Sequence, residues 1–426
     1  MNSVPRVARP ERHQFVLEQA CLDVQLDPDH RVRLVWAFVE RADTRSLDAR
    51  IGSREGGPGA PAIPPKLLLA LWLYATLDGV GSAREVERLC RDHAAYRWLC
   101  GRVGVNHHTL SDFRGGAGEF LDGLLTQMIA CLVKGGIVDG ETIHQDGTKV
   151  RASAGSKSFR RESTLARLKR EAAAHVEKVK RQAANQEESA RVRAARQRAA
   201  DERAGRVDKA LLAMAALKQV KARNAVRKGR EKPSEARVST TDPQARVMKT
   251  SGSGRAPAYN AQFATDAGSR AIVGVRVVTD PVDHGQSEAM RDDVEKRTGV
   301  RVKTHVTDAG YISKQVLERE EAAGVERVMP LPTNAKGEPC VADQKEDGPG
   351  VRAWRQRMQT DQAKALLRQR SGIAETPNGE LKTYRAMDRL LVRGLTKATA
   401  VVLMSAVVYN LMHFAPFLAG RPMSPA

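Results

Sequence analysis

Residues 141–152, ETIHQDGTKVRA, constrain the fold more than any other stretch. Helix breakers flank them, Asp139-Gly140 before and Ser153-Ala154-Gly155 after, and the middle alternates in character. That is a strand of period two, in which Ile143 and Val150 can face a core while Asp146 and Lys149 stay near a polar edge. One similar stretch follows, residues 302–311 (VKTHVTDAGY), again ending in Asp-small-Gly, with Asp308 as its acid. Far beyond it lies a helical segment that carries Glu375.

At 426 residues the chain has room for two or three domains and a sizeable core. Its 70 Lys+Arg outweigh 50 Asp+Glu, a formal charge of +20, which points to polyanionic partners. Aromatic residues make up only 4%, which argues against a base-stacking platform as the main device. Cys21, Cys90, Cys100, Cys131 and Cys340 form no CxxC pair, so they suit a reducing cytoplasm and support neither a disulfide framework nor a zinc ribbon. The polar N-terminus shows no signal peptide. Residues 67–77 are apolar but too short to span a bilayer. Residues 400–419 reach that length without Asp, Glu, Lys or Arg, yet contain Asn410, His413 and Pro416. A core helix is the expectation there, not a membrane span.

In chain order, residues 53–65 are a Gly/Pro-rich loop, and Pro64-Pro65 open a helix apolar nearly all round. Ser82 and Glu85 have capping-box spacing for the next helix. Residues 96–114 read as helix, turn and helix with Arg114 at the tip, either a DNA-binding unit or a plain bundle with a polar loop. Adjacent His107 and His108 are loop histidines, not a metal pair. The composition then changes. Residues 151–250 hold 27 Lys+Arg against 11 Asp+Glu, a net of +16. Within them residues 163–221 should be helical, and as one rod would exceed about 80 Å, so a hairpin is expected. Such a hairpin is either a solvated arm or a clamp on the DNA backbone. Residues 223–241 look like loop. Beyond them come a hairpin (257–265 and 271–279), a helix (287–298), a strand (302–308), a helix (313–323), a short strand (326–331), and helices over 352–370, across Glu375, and over 396–418.

This is the element order of a ribonuclease-H-like fold: a mixed five-stranded sheet with helices. An all-α N-terminal domain (1–135) precedes the catalytic unit (136–420), and a basic helical insertion (156–250) separates the first two strands. In that order Asp146, Asp308 and Glu375 converge. Two strand-borne aspartates and a helix-borne glutamate are the set a two-metal phosphodiester site needs, because hard Mg²⁺ ions about 3.5–4 Å apart require shared carboxylates. Glu380 is a rival for Glu375, and Asp266, Asp280 and Asp283 at hairpin ends are decoys or minor contributors.

With those acids placed, the chain resembles a DDE transposase of a bacterial insertion sequence over nearly its whole length. The N-terminal segment 61–85, Tyr96-Arg-Trp-Leu-Cys100 and residues 106–114 resemble the helical N-terminal domain of these enzymes. Residues 145–152 (QDGTKVRA) are similar to the family's first catalytic strand, Tyr259-Asn-Ala-Gln262 to its second strand, and Asp308-Ala-Gly-Tyr311 to its second acid. Arg370, Glu375 and Lys382 correspond to the Arg, Glu and Lys of its last motif, Glu and Lys being separated by six residues. Leu367 stands where the family's tyrosine is usual, and Pro377 follows the acid. The resemblance implies two Mg²⁺ ions, for which Mn²⁺ can substitute, on Asp146, Asp308 and Glu375. It also implies cutting of element ends and joining of 3′-hydroxyl ends to target DNA, by a homodimer on double-stranded DNA in the bacterial cytoplasm, associated with the nucleoid. Arg114, Lys149, Arg151, Arg160, Arg161, Arg370 and Lys382 are the expected DNA contacts. The alternatives are a catalytically inactive or repurposed DNA-binding protein, and a ribonuclease-H-like nuclease without strand transfer.

Overall fold

The computed structural model describes residues 21–53, 61–183, 189–227, 229, 231–250, 254–334 and 336–418. The polar N-terminus, most of the Gly/Pro-rich loop and the residues joining the two insertion helices lie outside them.

A six-stranded mixed sheet organises the fold: β1 (Thr142–Arg151), β2 (Arg246–Thr250), β3 (Gly254–Asp266), β4 (Ile272–Val278), β5 (Thr304–Val306) and β6 (Glu326–Val328). β1 pairs antiparallel with β3 and parallel with β5, which pairs parallel with β6. The outer edge of the long β3 is shared, β2 taking its first half and β4 its second. Five of these strands are the expected ones in the expected order. β2 is a correction: residues 246–250, expected within the insertion, belong to the sheet. They form a short edge strand with Met248 turned inward. Gly140, at φ +72°, makes the turn into β1, and Asp266 braces that turn by accepting from the Gly140 N–H at 3.0 Å.

Helices pack around this sheet. Pro65–Leu77 starts on a proline whose missing N–H costs nothing at the first helical position, and every residue from Leu67 to Leu77 is buried. Ser82 caps Ala83–Asp92 as its spacing predicts, accepting from the Glu85 N–H. The helix His107–Gly116 is capped by Asn106, so His107 and His108 are helical residues, not loop residues, and His107 pairs with Glu87 at 2.7 Å. One hydrophobic core runs without a break from these helices to the sheet and the final long helix, Leu395–His413. That helix is apolar and long enough to cross a membrane, but 67% of its apolar window is buried inside the protein. Its Asn410 accepts from the Ile272 N–H and donates to the Ile272 carbonyl, both at 2.9 Å, which ties it to the start of β4.

Between β1 and β2 the chain leaves the sheet through a two-residue ribbon, Phe159–Arg160 paired with Val238–Ser239. Beyond the ribbon stand two antiparallel helices, Glu162–Ala183 and Ala190–Arg227, the second running further into the expected loop. Leu165, Ala210, Met214 and Val238 give this lobe a small core of its own. The helix expected over 352–370 is two helices, Pro349–Arg357 and Asp361–Arg370, because Thr360 accepts from the Ala363 N–H and starts the second one anew.

Candidate functional site

Asp146 lies mid-way along β1, opposite Phe263, and its side chain is 19% exposed. Asp308 follows β5 by two residues and accepts from the Gly310 N–H at 2.8 Å, which opens the short turn Ala309–Tyr311. Because β1 and β5 are parallel neighbours with His144 beside Val306, Asp146 and Asp308 share one face of the sheet. Burial pushes the Asp146 carboxyl from about 3.8 up to about 6. The Arg370 guanidinium pulls the other way, and the negative charge of Asp308 adds to the rise.

Glu375 reaches this corner through an unusual turn. After Asp361–Arg370 the helix widens into a π-helical turn, Ser371–Glu375, before resuming as Thr376–Tyr384. Pro377 directly follows the wide turn, which accommodates a residue with no N–H to donate to the turn before it, and beyond it the helix runs on to Tyr384. Across the wide turn Arg370 Nη2 meets Glu375 Oε1 at 2.6 Å, while Arg370 Nη1 stands 4.0 Å from Asp146 Oδ1. The guanidinium thus lies between the two carboxylates. The rival acid, Glu380, is engaged elsewhere, with Arg385 at 2.8 Å and His413 at 3.0 Å.

The other expected contacts divide. Arg114 is buried, donates to the Gly81 carbonyl and stacks 4.1 Å from the Trp72 ring. It braces the helices and offers DNA nothing, so its expected role is corrected. Lys149 is held by Asp283 at 2.8 Å on the opposite face of β1 from Asp146. Arg151 pairs with Asp388. Lys382 is half-buried, and its amine is pushed down by that burial against the pull of Asp388 and Asp146. Arg160 and Arg161 lie at the base of the insertion, where they line a cavity.

Two features escaped the sequence reading. Asn378, three residues past Glu375 on the same helix, donates to Asp146 Oδ2 at 2.8 Å and is 6% exposed. Asp283, set aside as a minor hairpin-end acid, accepts from Asn260 at 2.8 Å and Gln262 at 2.6 Å as well as Lys149. Gln262 in turn accepts from Gln145 at 2.8 Å and from the Tyr311 hydroxyl. Gly147 lies under this network, and a Cβ there would collide with Gln262 and Asp283. The Asn-Ala-Gln motif of β3 was the available signal for it.

The donor chemistry fits a hard divalent cation. Asp146 is a half-buried carboxylate whose pKa burial raises, and beside it Asn378 Oδ1 is buried without a hydrogen-bond partner. Among the described residues no three acids or imidazoles stand close enough to ligate one ion, since Glu375 is turned onto Arg370.

Residues 20–116 match the Transposase domain (DUF772), and residues 233–411 match the Transposase DDE domain. The chain belongs to the DDE transposases of the insertion-sequence type. Asp308 and Glu375 of this transposase fall inside the second match, whereas Asp146 and most of the insertion lie between the two. The mixed sheet agrees with the ribonuclease-H-like fold that a DDE domain implies. No curated protein and no solved structure matches the transposase.

Proposed function

We propose that this transposase cuts the ends of its element and joins the freed 3′-hydroxyls to target DNA at Asp146, Asp308 and Glu375. The observation that carries the reading is the meeting of a strand acid and a helix acid around one guanidinium, Asp146 and Glu375 about Arg370, with Asp308 within electrostatic reach. Those three carboxylates would hold two Mg²⁺ ions, or Mn²⁺ in their place, and bound metal would supply charge stabilisation to the attacking and leaving oxygens of phosphodiester exchange.

The chain's own residues divide the remaining work. Asn378 holds the Asp146 carboxylate by its Oδ2, fixing its rotamer. Arg370 keeps two like charges from repelling across the corner, and when the carboxylates are otherwise neutralised its fork is free to take a DNA phosphate bidentately. Lys382, on the same helix and within electrostatic reach of Asp388 and Asp146, adds positive charge for DNA to meet. Double-stranded DNA is the substrate, and a homodimer pairing two element ends is the assembly proposed.

Leu367 and Pro377, the two departures from the family's last motif, are the residues that would favour an inactive copy. Pro377 fits its turn, and Leu367 packs against the core formed by Val306 and Trp354. Incubating the protein with a labelled element end, a plasmid target and Mg²⁺ separates the alternatives. Joined product supports transposition, and cleavage without joining leaves a nuclease. Binding with no cleavage in Mg²⁺ or Mn²⁺ leaves a DNA-binding protein. Sedimentation of the DNA complex reads the dimer.

A further inference from the structure

At the base of the insertion, seven arginines line an open cavity of about 900 Å³, and no aspartate or glutamate lines it. Three of them, Arg161, Arg167 and Arg237, are engaged by Glu235 and Glu171. The other four, Arg160, Arg203, Arg206 and Arg393, are exposed and have no ion pair or side-chain hydrogen bond among the described residues. They come from separate elements: Arg160 from the ribbon, Arg203 and Arg206 from the long helix, and Arg393 from the segment just before Leu395–His413.

Four unneutralised guanidinium groups converging on one concavity repel one another unless an anion sits among them. Planar forks that can each take two oxygens match phosphate better than a point carboxylate. The position adds direction. β1 carries the chain from Asp146 out to the ribbon, and the segment following the Glu375 helix pairs with Arg151, donating from Leu390 N and accepting at the Asp388 carbonyl, before it reaches Arg393. Both stretches that leave the acid corner therefore end at this cavity.

We propose that the cavity is a second DNA site, which grips consecutive phosphodiester groups of a strand running away from the acids. The ribbon, the insertion and the Arg393 segment build it jointly, so it is distinct from a diffuse attraction to the insertion's charged helices. The proposal rests on the transposase reading for its ligand.

The test compares two triple variants of the full chain. Arg160→Gln/Arg206→Gln/Arg393→Gln empties the cavity of charge. Arg170→Gln/Lys178→Gln/Arg223→Gln removes as much charge from exposed insertion positions outside it. Affinity for duplex and single-stranded DNA of equal length is followed by fluorescence anisotropy over a salt series, with thermal melting as the check on folding. The cavity triple should flatten the slope of log K against log salt by about 0.9 per duplex phosphate lost, or about 0.7 per single-strand phosphate, so by roughly two to three in all. The control triple should change it by less than half as much. Whichever DNA form suffers the larger loss is the form the cavity holds. Replacing the same three arginines by lysine should preserve most of the slope while weakening binding, since charge stays and the fork goes. Equal flattening by both triples, or none by the cavity triple, overturns the site and leaves the transposase reading standing. A wild-type chain that binds no DNA overturns that reading itself.

Discussion

Asn378 Nδ2 donates to Asp146 Oδ2 at 2.8 Å, joining the helix of the third acid to the strand of the first across 232 residues of sequence. The bond stabilises the ionised carboxylate, and it is one of the few influences that hold the Asp146 pKa down against burial. Asn378→Leu should therefore raise the Asp146 pKa further. A charge-assisted bond is worth about 1.5–3 kcal/mol, so the titration of this carboxyl in the metal-free protein, followed by carboxylate NMR, should climb by about one unit or more. A titration superimposable on wild type would show that Asn378 does not hold the Asp146 carboxylate.

The raised pKa of Asp146 also has a sign in stability. A carboxyl at about 6 in the fold and near 3.8 when unfolded binds its proton more tightly in the native state. Its contribution is favourable below pH 3.8 and is lost as the pH rises through 6, leaving a buried charge that costs roughly 3 kcal/mol at most at neutral pH. Asp146→Asn should thus melt at higher temperature than wild type at pH 7.5, with the gap closing toward pH 4. Added Mg²⁺ should raise the melting temperature of wild type and leave the variant unmoved. Equal melting of the two proteins at pH 7.5 without metal would contradict the burial argument.

Gly147→Ala places a methyl group into Gln262 and Asp283. Overpacking of this kind costs about 1–3 kcal/mol, and the strain falls on the strand next to Asp146. The expected variant folds, binds DNA with wild-type salt dependence and loses most cleavage. Full cleavage would mean the network yields freely.

Asn410→Leu leaves the N–H and C=O of Ile272 buried and unpaired. Two such groups cost about 2–5 kcal/mol, readable as a lowered denaturant midpoint with an unchanged slope. If Leu395–His413 were a membrane span, leucine would instead strengthen its partition, and fractionation of the variant would find it with membranes.

Most of the sheet was legible because alternation reports which strands are half-buried: Ile143 and Val150 inward, Asp146 at the edge. β2 was not, since Arg246–Thr250 is short, lies on an edge and alternates too few times to stand out from a basic loop. Arg114 was misread because a buried arginine and a surface one look alike in sequence, and only Trp72 beneath it distinguishes them. Asp146 and Asp308 were singled out by their strand and turn context. What escaped was the geometry around Glu375, where a π-helical turn keeps Arg370 and Glu375 in contact although they are five residues apart. A helical periodicity of 3.6 has no means of anticipating that extra residue, and so it could not anticipate the side on which Asn378 would emerge.

The ribbon at the base of the insertion has a consequence for how such a chain can vary. Ser158 and Ser239 touch through their hydroxyls at 2.7 Å, and Phe159–Arg160 lies against Val238–Ser239, so the lobe begins and ends at one point. The entropy of closing a loop grows only with the logarithm of its length, each doubling costing about 0.6 kcal/mol. What hangs beyond that point is therefore nearly weightless to the sheet. Lobes of very different size could be grafted between Arg160 and Val238, a short turn or a foreign folded domain included, while the strand that bears Asp146 keeps its register.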